Sequence, residues 1–62
     1  MQKVYLAQEI EEGEILDIIG IFDSYEKAYE RCVELYEERG FSYKNDFEMF
    51  QMDYRVEAYI VR

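Results

Sequence analysis

The sequence predicts a small α+β domain in which a three-stranded, mainly antiparallel sheet carries one helix on one of its faces. Three observations predict it: two strand-like segments joined by a glycine-containing turn, an amphipathic segment with capping residues, and a long alternation of apolar residues near the carboxyl end. With 62 residues there is room for one domain, spanning 1–62 in β-β-α-β order. Such a short chain hides only about 60% of its unfolded surface, so a partner would add to its stability.

The first two elements are predicted to form a β-hairpin. Within residues 3–10, Val4, Leu6 and Ile10 alternate with Tyr5 and Ala7. The segment is also rich in β-branched and aromatic side chains, which is typical of a strand. Gly13 lies in the acidic turn that follows, where it can adopt the positive φ of a tight reversal. Residues 15–22 have six apolar side chains in eight positions, which predicts a second strand that is apolar on both faces.

An amphipathic helix is predicted over residues 25–39. Asp23 or Ser24 supplies the N-cap, and Gly40 stands where a left-handed C-terminal cap is expected. At about 100° per residue, one side of this helix is apolar and is expected to face the sheet. This side comprises Tyr25, Ala28, Tyr29, Cys32, Leu35 and Tyr36, with Val33 at its margin. Residues 41–46 are predicted to form a loop.

The alternation that begins at Glu48 predicts a long C-terminal strand. It continues for about thirteen residues, which is more than the two preceding strands can pair with. Either the strand breaks near residues 53–55, or its end extends beyond the sheet. We favour the extension, which would offer an unpaired strand to a second chain. The sequence leaves open whether the first or the second strand lies in the middle of the sheet.

Three short segments combine these strand and helix-start patterns. They are Lys3-Val4-Tyr5-Leu6, the run of residues 18–24 followed by Glu26-Lys27-Ala28, and residues 50–54. Together they resemble a group of small bacterial and phage proteins of unassigned function with a β-β-α-β layout. The resemblance implies the fold class and an origin in a phage or mobile element, with an accessory role such as interference with a host protein. It implies no catalytic or ligand-binding residue.

The composition excludes several kinds of chemistry. The sequence has no histidine and its only thiol is Cys32, so imidazole catalysis and a Cys/His zinc site cannot arise within one chain. We therefore expect no enzymatic activity, no catalytic residue, no metal and no cofactor. The place of Cys32 on the apolar side of the helix indicates a reduced core residue of a cytoplasmic protein, in the host cytoplasm if a phage encodes it. No segment is apolar for the length of a membrane span.

The net charge favours a basic protein as partner. Seven basic and fifteen acidic residues give a formal charge of −8, which opposes direct binding to nucleic acid or to an anionic membrane. A basic surface on a host protein would instead be attracted. We expect it to contact the glutamates on the outer side of the helix and in the hairpin turn. These are Glu26, Glu30, Glu34, Glu37, Glu38, Glu11, Glu12 and Glu14.

A second copy of the chain is the other expected partner. One helix covers one face of a three-stranded sheet, so apolar side chains of the second and third strands are left on the opposite face. A two-fold homodimer would bury them. The residues expected in this interface are Ile19, Ile21, Met49, Tyr59 and Val61.

The sequence therefore predicts a non-enzymatic protein-binding module, a small acidic inhibitor of phage type that acts on a host defence or nucleic-acid-handling protein. Two alternatives stay open. One is a dimeric module that binds a small ligand in a tyrosine-lined pocket, since the chain has seven tyrosines. The other is a dimeric structural accessory protein. Docking on a basic protein weakens with salt, whereas binding in an apolar pocket does not.

Overall fold

The computed structural model describes residues 2–61 and contains three strands and two helices. Their order is β1 (Gln2–Glu11), β2 (Glu14–Phe22), α1 (Tyr25–Glu38), α2 (Phe47–Asp53) and β3 (Tyr54–Val61). Both strand pairs are antiparallel, and the order across the sheet is β2-β1-β3. The predicted α+β class is confirmed, and the first strand is the central one.

The hairpin closes through a two-residue turn. Glu12 and Gly13 both have positive φ, of 52° and 82°, which is the combination of a type I′ turn. Beyond the turn, β2 contains two residues that have no partner on β1. These are Ile19, between the pairs Ala7–Gly20 and Gln8–Ile18, and Leu16, between the pairs Glu9–Asp17 and Ile10–Ile15. Each extra residue is a β-bulge, which shifts the alternation of β2 from there on.

The ends of α1 are capped as the sequence predicts. Ser24 is the N-cap, and its hydroxyl accepts a hydrogen bond of 3.2 Å from the backbone N–H of Lys27. Asp23 instead forms an exposed ion pair with the Lys27 ammonium at 2.9 Å, which lowers the pKa of the Asp23 carboxyl. Gly40 follows the helix with a φ of 93°, the left-handed conformation expected for it.

The segment before β3 differs from the prediction. Residues 47–53 form α2, and β3 begins at Tyr54, so the alternation breaks at the first of the two places considered. The favoured extension beyond the sheet is wrong, because β3 pairs with β1 along its whole described length, from Val61 opposite Gln2 to Tyr54 opposite Glu9. The physical reason is that Phe47 and Phe50 also have helical spacing, and Phe50 is buried from α2.

The core lies between the sheet and the helices and is mainly aromatic. Its buried members are Ala7, Ala28, Cys32, Tyr36, Phe50 and Tyr54. The Phe50 ring lies at its centre, with centroid distances of 5.3 Å to Tyr36, 5.3 Å to Tyr54 and 4.9 Å to Tyr43. These distances fall in the range in which aromatic pairs attract each other. The second helix thus supplies the ring around which the core packs.

Candidate functional site

The sheet has one face that the helices leave uncovered. Side chains directly opposite each other in an antiparallel pair lie on the same face. Tyr5, Ala7 and Val56 belong to the core, so the residues that alternate with them on β1 and β3, and their partners on β2, point away from the helices. We call this surface the open face. It comprises Gln2, Val4, Leu6, Gln8 and Ile10 of β1, Ile15, Ile18 and Ile21 of β2, and Arg55, Glu57, Tyr59 and Val61 of β3.

The open face is largely apolar, and its apolar side chains on the two outer strands are exposed, whereas the side chains of β1 on this face are half-buried or buried, apart from Gln2. Ile18 and Ile21 are 52% and 66% exposed, and Tyr59 and Val61 are 44% and 46% exposed. Exposed apolar side chains are common one at a time, but a contiguous set on one sheet face indicates an interaction surface. This face is therefore the first candidate site.

Three of the five residues predicted for a dimer interface lie on the open face, namely Ile21, Tyr59 and Val61. Ile19 does not, because as a bulge residue it packs against the core. Met49 does not either, because it belongs to α2. Ile18 takes the place of Ile19 on this face, and Ile15 lies there too, as alternation from Ile21 allows. Strict alternation could not have found Ile18, since a bulge reverses the side to which the neighbouring residues of β2 point.

The centre of the open face carries a buried polar residue. Gln8 pairs with Ile18 on one side and Arg55 on the other, and it is only 1% exposed. Among residues 2–61, no donor lies within hydrogen-bonding distance of its Oε1 atom. A buried acceptor without a donor destabilises the fold, so the burial of the Gln8 side chain at this place has an energetic cost.

The acidic residues form the second candidate site. All eight glutamates predicted for a partner surface are exposed. Four of them recur every fourth residue on α1 and form what we call the glutamate row: Glu26, Glu30, Glu34 and Glu38. Successive members are separated by about 6 Å along the helix axis. Of these four, only Glu34 has a cation within ion-pairing distance among the described residues, Arg31 at 3.2 Å.

The helix directs this row toward the hairpin. Arg39, which follows α1, lines a shallow hollow together with Glu9, Glu11 and Leu16. The C-terminal end of α1 therefore lies beside the end of the sheet that carries the hairpin turn. Arg39 donates a hydrogen bond of 3.3 Å to the Tyr54 hydroxyl, and this contact raises the pKa of its guanidinium. The last turn of α1, which carries Glu37 and Glu38, thus lies at the same end of the molecule as the hairpin turn.

A cleft on the helix side bears on the small-ligand alternative. It has a volume of about 250 Å³, and its lining residues are Tyr25, Tyr29, Cys32, Phe50, Gln51, Tyr54, Arg55 and Val56. Ligand pockets usually measure about 300 to 1,000 Å³, so this cleft is small. Its polar groups are already engaged or neutral: the Tyr29 hydroxyl is hydrogen-bonded to that of Tyr43, and burial raises the pKa of the Cys32 thiol to about 11.

The described residues contain no group of three or more metal-ligating side chains arranged to hold an ion. No helix within residues 2–61 is long and apolar enough to cross a membrane. Comparison with protein-family models, with curated proteins and with solved structures finds no match to this chain.

Proposed function

We propose that this chain is a non-enzymatic protein-binding module whose glutamate row and hairpin turn dock on a basic protein surface. The observation that supports this proposal is that several of its carboxylates stand where they oppose the stability of the fold. In an acidic protein that merely needs solubility, carboxylates can be placed where local electrostatics favours them. Local rules are broken mainly at functional sites.

Three arrangements on α1 and in the hairpin are unfavourable. The glutamate row has like charges four residues apart, each pair of which destabilises a helix by about 0.2 to 0.5 kcal/mol. Glu37 and Glu38 lie in the last turn of α1, which contains no basic residue, next to the negative end of the helix dipole. Glu11 and Glu14 stand directly opposite each other across the hairpin, where like charges repel.

The proposed partner is a host protein that handles nucleic acid or takes part in defence. A protein that binds a nucleic-acid backbone presents rows of cations to it. A row of carboxylates along a helix, about 6 Å apart, offers such a surface an alternative anion. In its most specific form, the proposal is a small inhibitor of phage type that occupies the cationic surface in place of nucleic acid.

A capture experiment with a matched variant tests the proposal. The immobilised chain is exposed to bacterial lysate, and bound proteins are identified by mass spectrometry. Proteins bound through the glutamate row should be basic, should be released by raised salt, and should be displaced by added double-stranded DNA. Glu34→Lys, in the middle of the row, should reduce their capture by about fivefold or more.

The control is Glu48→Lys, which changes the net charge equally, from −8 to −6, but lies on α2. It should reduce capture less than about twofold, because a rim charge away from the contact acts only through the overall field. Equal losses from both variants would mean that the glutamate row is not the docking surface. Capture that resists salt, DNA and Glu34→Lys would exclude acidic docking altogether.

A further inference from the structure

The open face is electrically different from the rest of this acidic protein. In the described part of the chain its charged side chains are Arg55 and Glu57, whose charged groups lie 3.4 Å apart. Their charges cancel, so the face is neutral on a chain with a formal charge of −8. Its remaining side chains, apart from Gln2 and Gln8, are aliphatic or aromatic. A basic partner would gain no attraction here.

We propose that the open face is the interface of a two-fold homodimer in which two sheets pack face to face. A second copy presents the same neutral, apolar surface, so neither partner has to bury an uncompensated carboxylate. Sheets packed in this way lie about 10 Å apart with interdigitating side chains. The helices and the glutamate rows then lie on the two outer surfaces, where the repulsion between two acidic chains is smallest.

The exposed area agrees with this assembly. The chain exposes 4757 Å². Folded monomers of its mass expose about 4,300 Å², so the excess is about 450 Å² per chain. Specific interfaces begin at about 600 Å² buried per partner. The chain thus exposes more surface than a typical monomer of its mass, as expected for a chain that is one half of a folded unit.

Edge-to-edge pairing explains less of the structure. The free edge of β2 is interrupted by the bulges at Leu16 and Ile19, which hinder continuous pairing. The free edge of β3 is regular, since its ladder with β1 has no shift. Pairing there would nevertheless leave the isoleucines of β2 exposed, because they lie on the face and not at that edge. Packing of the two open faces buries both the isoleucines of β2 and the apolar side chains of β3 on that face.

The test compares two isoleucines of similar exposure on opposite faces of the sheet. Ile21 is 66% exposed on the open face, and Ile60 is 60% exposed on the helix side of β3. Light scattering after gel filtration at micromolar concentration should give twice the chain mass of 7.6 kDa for the wild type. Ile21→Asp should give the mass of one chain, because a buried unpaired charge weakens the dimer by at least about tenfold. Ile60→Asp should remain a dimer.

Circular dichroism establishes that each variant is folded. Should Ile21→Asp not fold, Ile21→Thr keeps the β-branched shape and is expected to weaken the dimer to a smaller extent. The wild type provides a second readout, since its thermal midpoint should rise with protein concentration. A monomeric wild type with a concentration-independent midpoint would overturn the proposal. Dissociation by Ile60→Asp but not by Ile21→Asp would overturn it in favour of pairing along the β3 edge.

Discussion

At the scale of single residues, Cys32 shows how packing controls chemistry. It lies between Ala28 and Tyr36 on the buried side of α1 and is fully shielded from solvent. Burial raises the pKa of its thiol to about 11, so at pH 8 only about one molecule in a thousand carries the reactive thiolate. Both the prediction that Cys32 packs in the core and its assignment to the apolar side of the helix are confirmed.

We therefore expect Cys32 to be inert in the folded protein. A thiol reagent at pH 8 should label it much more slowly than in denaturant, because labelling requires both exposure and ionisation. The measurement is the rate of labelling with and without urea. Rapid labelling of the folded chain would contradict the buried position of this side chain.

Gln8 carries a buried acceptor that has no hydrogen-bond donor among residues 2–61. Replacing it with Met keeps an unbranched side chain of similar length and removes the buried acceptor. We expect Gln8→Met to raise the free energy of unfolding by about 1 kcal/mol, measured by urea denaturation at fixed protein concentration. Gln51→Met, at an exposed position on α2, is the control and should have little effect. A loss of stability in Gln8→Met would show that the amide has a partner.

At the scale of elements, the position of each charge on α1 determines how its replacement changes the free energy of unfolding. Glu38→Lys places a cation at the negative end of the helix dipole and replaces the repulsion from Glu34 with an attraction. It should raise the free energy of unfolding by about 0.5 to 1.5 kcal/mol. Glu26→Lys changes the net charge by the same amount but removes an acidic residue from the first turn, so it should not stabilise the protein. Thermal or urea unfolding at low salt distinguishes the two variants.

A stabilised Glu38→Lys would support the inference that this carboxylate is retained for binding. Unchanged stability in both variants would mean that water and salt screen the row, and that its placement carries no functional information. The comparison is independent of any partner, so it tests the argument for the proposed function before a target has been identified.

Individual elements also differ in how well the sequence predicts them. The hairpin, α1 and its caps follow from local signals: Gly13 in a type I′ turn, Ser24 as N-cap and Gly40 after the helix. Residues 47–53 fit both a strand and a helix, and the core decides between them by burying Phe50. The bulge at Ile19 has no sequence signal of its own, so a dimer interface drawn by strict alternation includes Ile19, which packs half-buried against the core, and omits Ile18.

At the scale of the whole molecule, the two proposed surfaces have opposite electrostatic requirements. The glutamate rows attract a basic partner from solution, whereas the open face has to bring together two chains that each carry a charge of −8. Both requirements are met when the neutral open faces lie between the two copies and the acidic helices lie on the outside. A dimer also presents two glutamate rows, which strengthens binding to a partner that has two basic sites within reach.

Salt should therefore change the two associations in opposite directions. Raising sodium chloride from about 0.01 to 0.3 M shortens the Debye length from about 30 Å to below 10 Å, which screens the repulsion between two acidic copies and the attraction to a basic protein alike. We expect the dimer to become tighter, because its contacts are apolar, and the complex with the captured basic protein to become weaker. Sedimentation equilibrium measures the first association, and titration of the labelled chain with the purified partner measures the second. Weakening of the dimer by salt would mean that ion pairs between the two copies hold it together, and it would contradict packing through the neutral, mainly apolar open face.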